Sequence, residues 1–257
     1  YDDLASTNET YDVIINLAGA RILGKRWSTQ QKQVLRNSRI TLTQSLITWI
    51  AEADTKPSFL ISASAVGYYG VQPQGDSTPL TENSPPQAIF MSQLCQDWET
   101  TAKQATQYGV KVACMRFGMV LGQGGALPMM LMPLKLGIGG SMGTGQQWLA
   151  WIHVQDLLRG IAHIWQTQLA TQQPFQAYNF TAPETVTQAQ FTQTAAKILH
   201  RPAMFPTPAK PVRLLLGEQA DILLEGQLAV PTALEASGFK FTYPTVQAAL
   251  QEITGSH

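Results

Sequence analysis

The sequence predicts an α/β fold: a doubly wound parallel sheet with a smaller C-terminal α/β lobe. Three observations lead there. Short β-branched runs ending in small residues alternate with long helical patterns. The runs are apolar almost throughout, as strands covered on both faces are. After Gly118 the alternation gives way to Gly-, Met- and Pro-rich sequence. With 257 residues the chain can bury a core of its own, as one domain with a lobe or as two small domains.

The first strand is Val13-Ile14-Ile15-Asn16-Leu17-Ala18-Gly19, whose C-terminal end opens into a loop. Ser28 reads as an N-cap, and the helical pattern behind it runs from Gln30 to Ile50. Pro57 to Ser64 repeats the strand pattern and again ends in small residues, Ser62-Ala63-Ser64. A Pro/Gly-rich loop from Gly70 to Pro86 leads to a helix from Phe90 to Tyr108. The third strand runs from Val110 to Phe117 and ends Arg116-Phe117-Gly118.

From Gly122 to Gly145 the apolar sequence is broken by Pro128 and Pro133 and reads as a loop. Trp151 to Val154 is a short buried strand, with Asp156 as the cap of a helix from Leu157 to Gln166. Ala177 to Phe180 is a further strand, and Thr187 caps a helix from Gln188 to Leu199. Prolines 202, 206, 208, 211, 231 and 244 separate short helical patterns in the remainder. The expected division assigns 1–120 and 150–182 to the sheet domain, and 121–149 and 183–257 to the lobe.

Lys and Arg (17) balance Asp and Glu (17), so the chain carries no electrostatic footprint for nucleic acid or an anionic membrane. A small-molecule substrate is the expected partner, and a monomer or homodimer the expected state. Cys95 and Cys114 are the two cysteines and have no C-x-x-C spacing. No metal site is expected from them, and a reducing, cytoplasmic setting is. The chain opens Tyr1-Asp2-Asp3 instead of with a basic and then apolar stretch, so no secretion signal is expected.

Ligands of open parallel sheets bind at the carboxyl ends of the strands. Small residues there let a ligand approach the backbone, and serines add hydroxyls. Arg39, on the first long helix, either reaches a phosphate or pairs with a carboxylate. Arg116, at a strand end, has the stronger case for a nucleotide contact. His153, between Ile152 and Val154, reads as a core histidine. Met130, Trp148 and Trp151 are candidates to line a substrate pocket.

Asn16-Leu17-Ala18-Gly19, Ser64 followed by Tyr68-Tyr69-Gly70, and Trp151-Ile152-His153-Val154-Gln155-Asp156 resemble the extended short-chain dehydrogenase/reductase superfamily. Lys25-Arg26-Trp27, Ser38-Arg39, Leu94-Cys95-Gln96-Asp97-Trp98-Glu99 and Arg116 to Leu121 narrow the resemblance. They point to its nucleoside-diphosphate-sugar epimerase-like subfamily, which carries a DUF1731-like C-terminal lobe. The resemblance implies a Rossmann-type domain binding NADP(H), with NAD the alternative, and redox or epimerase chemistry on a carbonyl or nucleotide-sugar-like substrate. It assigns Ser64 and Tyr69 to catalysis and Tyr68 to the substrate. Asn16, Leu17, Ala18, Gly19, Arg39, Ser62, Ala63, Cys95, Arg116, Phe117, Gly118 and Val120 are assigned to the cofactor.

Two departures stand out. The superfamily's Tyr and Lys, four residues apart on one helix face, are replaced by Phe90 and Leu94, so the usual proton donor is missing. Tyr68, Tyr69 and Cys95 are the nearest replacements; otherwise the protein binds cofactor without the usual catalysis. The Gly-rich phosphate turn of the first βαβ unit is also absent. That unit is expected to lie upstream of a sequence that does not open with Met.

Overall fold

Four strands with apolar interiors align side by side, and everything else is arranged around them. In this computed structural model residues 9–255 are described; the Tyr1-Asp2-Asp3 opening, and the expectation built on it, falls outside them. Along the chain run β1 (Val13–Asn16), α1 (Thr29–Arg36), α2 (Leu42–Glu52), β2 (Phe59–Ala65), α3 (Phe90–Lys103) and β3 (Lys111–Phe117). There follow β4 (Met119–Leu121), α4 (Leu127–Lys135), β5 (Trp148–Leu149), β6 (Trp151–His153), α5 (Val154–Ala170) and β7 (Phe175–Phe180). The chain continues with β8 (Val186–Thr187), α6 (Gln188–Ile198), α7 (Ala209–Leu216), α8 (Asp221–Leu224), α9 (Thr232–Ala236) and α10 (Val246–Thr254).

The main sheet has the order β1-β2-β3-β7, all parallel. Side chains alternate across it. Leu60, Val112 and Cys114 pack beneath Leu46, Ile47 and Ile50 of α2 and Ala102 of α3. On the opposite face Phe59, Ile61, Ala113 and Met115 meet Ile161 and Ile164 of α5. This is the Rossmann-like parallel sheet flanked by helices that the strand pattern predicts. A further core joins Leu131 and Leu134 of α4 to Trp151, Phe191, Ala195 and Leu250. None of the described helices is long and apolar enough to cross a membrane.

Three local details differ from the sequence reading. The expected single helix is interrupted by a π-helical turn, Asn37–Thr41, between α1 and α2. Its side chains hold the loop after β1: Ser38 Oγ accepts from Ala20 N (3.0 Å) and Arg39 Nη2 donates to Ala20 O (3.1 Å). The Pro-broken loop contains α4. Pro128 occupies its first turn, where no N–H is needed, and Leu127, Leu131 and Leu134 bury one stripe despite Pro133.

The third difference is at α5, which begins at Val154 with His153, not Asp156, as its cap. His153 Nδ1 accepts from Gln155 N (3.2 Å), so its ring proton sits on Nε2 and is shared with Glu252 Oε2 at 2.9 Å. The fully buried Asp156 instead accepts from Thr242 N (2.9 Å), Tyr243 N (2.8 Å) and Arg159 Nη1 (2.7 Å). Thr187 caps α6 as expected, in a reciprocal capping box with Gln190.

Asp156→Ala would strand two backbone N–H groups, those of Thr242 and Tyr243, while the half-exposed Arg159 keeps Thr242 Oγ1. It is expected to lower the unfolding free energy by about 3 kcal/mol in a urea titration. A loss below about 1 kcal/mol would mean that water replaces the carboxylate.

Candidate functional site

Parallel pairing places Asn16 opposite Ser62, Ser62 opposite Cys114, and Ser64 opposite Arg116. The three small-residue strand ends therefore form one continuous ledge. At its β1 end, Asn16 Nδ2 donates to Thr43 Oγ1 (3.0 Å) while its Oδ1 accepts from Ala18 N (3.2 Å), turning the chain. Leu17 and Gly19 are left exposed beyond that turn. Ser62 and Ala63 lie buried beneath the ledge.

Arg39 closes over this loop. Its Nη1 donates to Leu35 O (3.4 Å) and Ser38 Oγ (3.2 Å), and its guanidinium stacks 5.3 Å from the Trp98 ring centroid. A Cβ on Gly19 would sit 3.2 Å from the guanidinium carbon, so a larger residue there would push Arg39 back by a few tenths of an ångström. Every hydrogen-bond partner is neutral, and burial pulls the pKa of Arg39 below its ordinary value, against an opposing effect of Cys95. The result is a cation at the ledge with no carboxylate bound to it among the described residues. Of the two sequence alternatives for Arg39, the carboxylate partner is not there.

At the β2–β3 end a buried network assembles. Glu99 takes Arg116 in a two-pronged pair, Nε to Oε1 and Nη2 to Oε2, both 2.8 Å. Ser64 Oγ donates to the same Glu99 Oε1 at 2.7 Å. Arg116 Nη1 donates to Tyr69 Oη (3.0 Å), and Tyr69 in turn donates to Asn179 Oδ1 (2.7 Å). Asn179 Nδ2 reaches Leu80 O and Val230 O, so the chain of bonds ends with every partner satisfied. Burial disfavours the Arg116 cation, but Glu99 outweighs it and holds the pKa above the ordinary value.

These bonds engage both expected catalytic residues, Ser64 and Tyr69. Ser64 Oγ is 2% exposed and its hydrogen bond is committed to the Glu99 carboxylate. Tyr69 is pushed up to about 12 by burial, partly offset by Arg116, and its hydroxyl is engaged on both sides. The buried Cys95 thiol is also pushed up to about 12, by burial and then by Glu99. Neither suits proton transfer near neutral pH. Tyr68 differs: it is half-buried, Arg116 lies 3.5 Å above its ring centroid, and its hydroxyl bonds to no described residue.

At the start of α3 lies a cavity of about 370 Å³. Trp27 from the loop after β1, Lys32 of α1, Val71, and Ile89-Phe90-Met91 at the start of α3 form one side. Glu218, Asp221 and Ile222 close the other. Phe90, the residue in the usual proton-donor position, thus faces open space and packs edge-on to Trp27 at 5.2 Å. Lys32 Nζ is 2.6 Å from Glu218 across the gap. The buried Gln219 ties the two sides together, donating to Ile22 O and Lys25 O at 2.8 Å each.

Other expected residues fall elsewhere. Phe117 and Val120 pack in the core on the α5 face of the sheet. Gly118 is small because Ala150 O would lie 2.8 Å from any Cβ there, a packing reason. Trp151 is buried in the core around α6, Met130 packs against it, and Trp148 donates to Asp76 O (2.8 Å); none lines the cavity. Sequence reasoning missed Glu99, Asn179 and Lys32. Glu99 had a signal: Ser92, Cys95, Glu99 and Ala102 recur at helical spacing, and a carboxylate on a buried stripe demands a cation.

The model of the NAD dependent epimerase/dehydratase family matches residues 2–179, and the domain of unknown function DUF1731 matches 207–253. An epimerase family protein of Staphylococcus saprophyticus is 40% identical over 243 residues, covering 94% of this chain and 79% of its own length. One from Staphylococcus aureus is 38% identical over 246 residues, covering 95% and 80%. Among solved structures, human epimerase family protein SDR39U1 with NADPH superposes with a TM-score of 0.89. It is 33% identical, over 100% of this chain and 86% of that one. A UDP-galactose 4-epimerase shares the fold at a TM-score of 0.74 and 18% identity, over 96% and 77%.

Two outcomes are expected of the network. Glu99→Ala leaves a buried guanidinium unpaired and lowers stability by about 3–5 kcal/mol, most of which Glu99→Met with Arg116→Met restores. On the alkaline side, Tyr69 and Cys95 keep their protons to higher pH in the folded chain than in the unfolded one. The stability they contribute is complete below the unfolded pKa values and is lost as pH rises toward about 12. Unfolding free energies measured across that range should fall, and less steeply for Tyr69→Phe.

Proposed function

The chain belongs to the NAD dependent epimerase/dehydratase family, and from that premise we propose that it binds NADP(H) along the strand-end ledge. In this reading it exchanges hydride with the carbonyl carbon of a small molecule, nucleotide-sugar-like or otherwise, held in the cavity beside Phe90. The observation that carries it is the ledge itself, three adjacent strand ends of small residues with the carboxylate-free Arg39 guanidinium over one of them. A phosphate-bearing ligand fits such a cation, since planar guanidinium groups bind phosphate through paired N–H bonds. NADP(H) is preferred to NAD because the 33% identical human protein was crystallised with NADPH. When bound, the cofactor supplies or accepts the hydride.

The residues of this chain then divide the work. Asn16 to Gly19 present backbone and a flat surface, and Arg39 supplies charge. Ser64, Glu99, Arg116 and Tyr69 keep the β2 and β3 ends in register. Tyr68, whose ring lies outside the cavity lining, takes the proton-donor role vacated at Phe90 for a substrate that extends from the cavity toward it; its hydroxyl bonds to no described residue and the Arg116 cation is adjacent. Residues 1–120 and 150–182 carry the cofactor, and 121–149 with 183–257 close the substrate side. Two free, buried cysteines fit a reducing, cytoplasmic setting.

A second reading is favoured by Phe90 and the buried Leu94, which leave the usual general-acid helix face without a protic group. There the protein would bind NADP(H) and act as a regulatory or scaffold protein.

Arg39→Gln is expected to weaken NADPH binding roughly tenfold in a fluorescence titration while leaving the fold intact. With NADPH and a panel of carbonyl compounds and nucleotide sugars, Tyr68→Phe should cut turnover about a hundredfold or more. Turnover equal in wild type and Tyr68→Phe removes Tyr68 from the mechanism. Tight NADPH binding with no turnover of any compound selects the second reading.

A further inference from the structure

We infer that the outer face of α4, together with the loop that follows α6, docks an acidic amphipathic segment of a partner protein.

The argument starts from a helix that is apolar on two sides. Leu127, Leu131 and Leu134 bury one stripe of α4 in the core around Phe191 and Ala195. At 100° per residue, Met129, Met132 and the C-cap Leu136 fall on the opposite side, where a surface helix ordinarily carries polar groups. Ile138 just beyond the helix, with Met204 and Phe205, extends that surface. The two loops are laced together: Phe205 N donates to Gly139 O (3.1 Å) and Thr207 N to Ser141 O (2.8 Å). These six side chains are between 55% and 71% exposed. Large apolar groups gathered on one surface, unlike single ones, mark an interaction site.

Charge selects the partner. Cations and carboxylates balance over the whole chain, but residues 100–155 and 185–217, which supply this surface, contain no Asp or Glu. Lys135 stands beside Leu136 at the end of α4. Lys197, His200 and Arg201 surround a shallow depression of about 460 Å³ that Ala196 and Ala203 also line. Ala203 packs on the same core as Leu131 and leads straight into Met204, so depression and apolar surface are continuous. Lys135, Lys197 and Arg201 are exposed, and none forms an ion pair with a described residue. An apolar strip edged by unpaired cations complements an apolar strip edged by carboxylates.

Other occupants fit less well. A second copy in a two-fold contact would set these cations against each other. A lipid surface favours Trp and Tyr at headgroup level, and residues 122–147 and 197–216 contain neither. Three of the six apolar groups are Met, whose flexible thioethers adapt to the irregular surface of a protein. The depression adds a recess for one anchoring side chain of the partner.

Fluorescence polarisation on the full chain tests this with three labelled 16-residue peptides. One is a helical peptide of Leu and Glu in amphipathic order; its controls carry Lys in place of Glu, or Ser in place of Leu. The Leu/Glu peptide is expected to bind at least about tenfold more tightly than either control. Met132→Ser and Phe205→Ser, at exposed positions, should each weaken it several-fold. Lys197→Glu combined with Arg201→Glu should weaken it about tenfold or more. All of these variants should keep the wild-type melting temperature and NADPH affinity. Failure of the Leu/Glu peptide to outbind its controls overturns the inference, as does binding that no variant weakens. Wild type that sediments with phosphatidylserine vesicles but binds no peptide assigns the face to a membrane instead. A wild-type dimer that Phe205→Ser dissociates assigns it to a second copy, and overturns the inference equally.

Discussion

The buried pair of Glu99 and Arg116 is the constraint from which the site follows. A carboxylate and a guanidinium taken out of water need partners for their lone pairs and N–H groups, and here Ser64, Tyr69 and the backbone of Glu82 add to the two bonds the pair makes with itself. Ser64 commits its hydrogen bond to it, Tyr69 is held between Arg116 and Asn179, and Arg116 stands over the Tyr68 ring. The pair also reaches further out. Arg116 binds the backbone of Glu82, whose carboxylate accepts from Asn179 N and Ala233 N, so one ion pair fixes β2, β3, β7 and the segment leading into α9.

That explains which parts of the site could be read beforehand. Strands, their order of appearance and the small residues at their ends follow from local pattern, and the Ser62-Ala63-Ser64 and Arg116-Phe117-Gly118 ends do lie side by side. The roles of those residues do not follow, because a hydroxyl's function depends on what its proton faces, and Glu99 lies 35 positions from Ser64. Likewise Trp151 and Met130 have the composition of a pocket and the location of a core. The α4 helix was hidden by its prolines, although the spacing of Leu127, Leu131 and Leu134 recorded the buried stripe. His153 and Asp156 show the same limit at a helix start: a cap was legible at Asp156, but His153, which reads as a core histidine, caps the helix while Asp156 is taken by Thr242 and Tyr243.

The cavity, by contrast, is a property of distant segments. Trp27, Phe90 and Ile222 meet because Gln219 grips the loop after β1. Its amide is fully buried, and that commitment leaves the two walls little freedom to separate. The same contact means that whatever settles on the ledge and whatever enters the cavity act on one mechanical unit.

The π-helical turn at Asn37–Thr41 gives this arrangement an unusual dependence on chain length. Such a turn holds one residue more than an α-helical turn. Removing a single residue there would let the whole segment relax into a regular helix. The wide turn absorbs its extra residue, so α1 and α2 would keep their mutual register, while the local backbone that sets both Ser38 and Arg39 on Ala20 would be gone. The ledge's cation is therefore secured by a counting error in the helix, and a shorter relative with an uninterrupted helix would have to bring its positive charge from somewhere else.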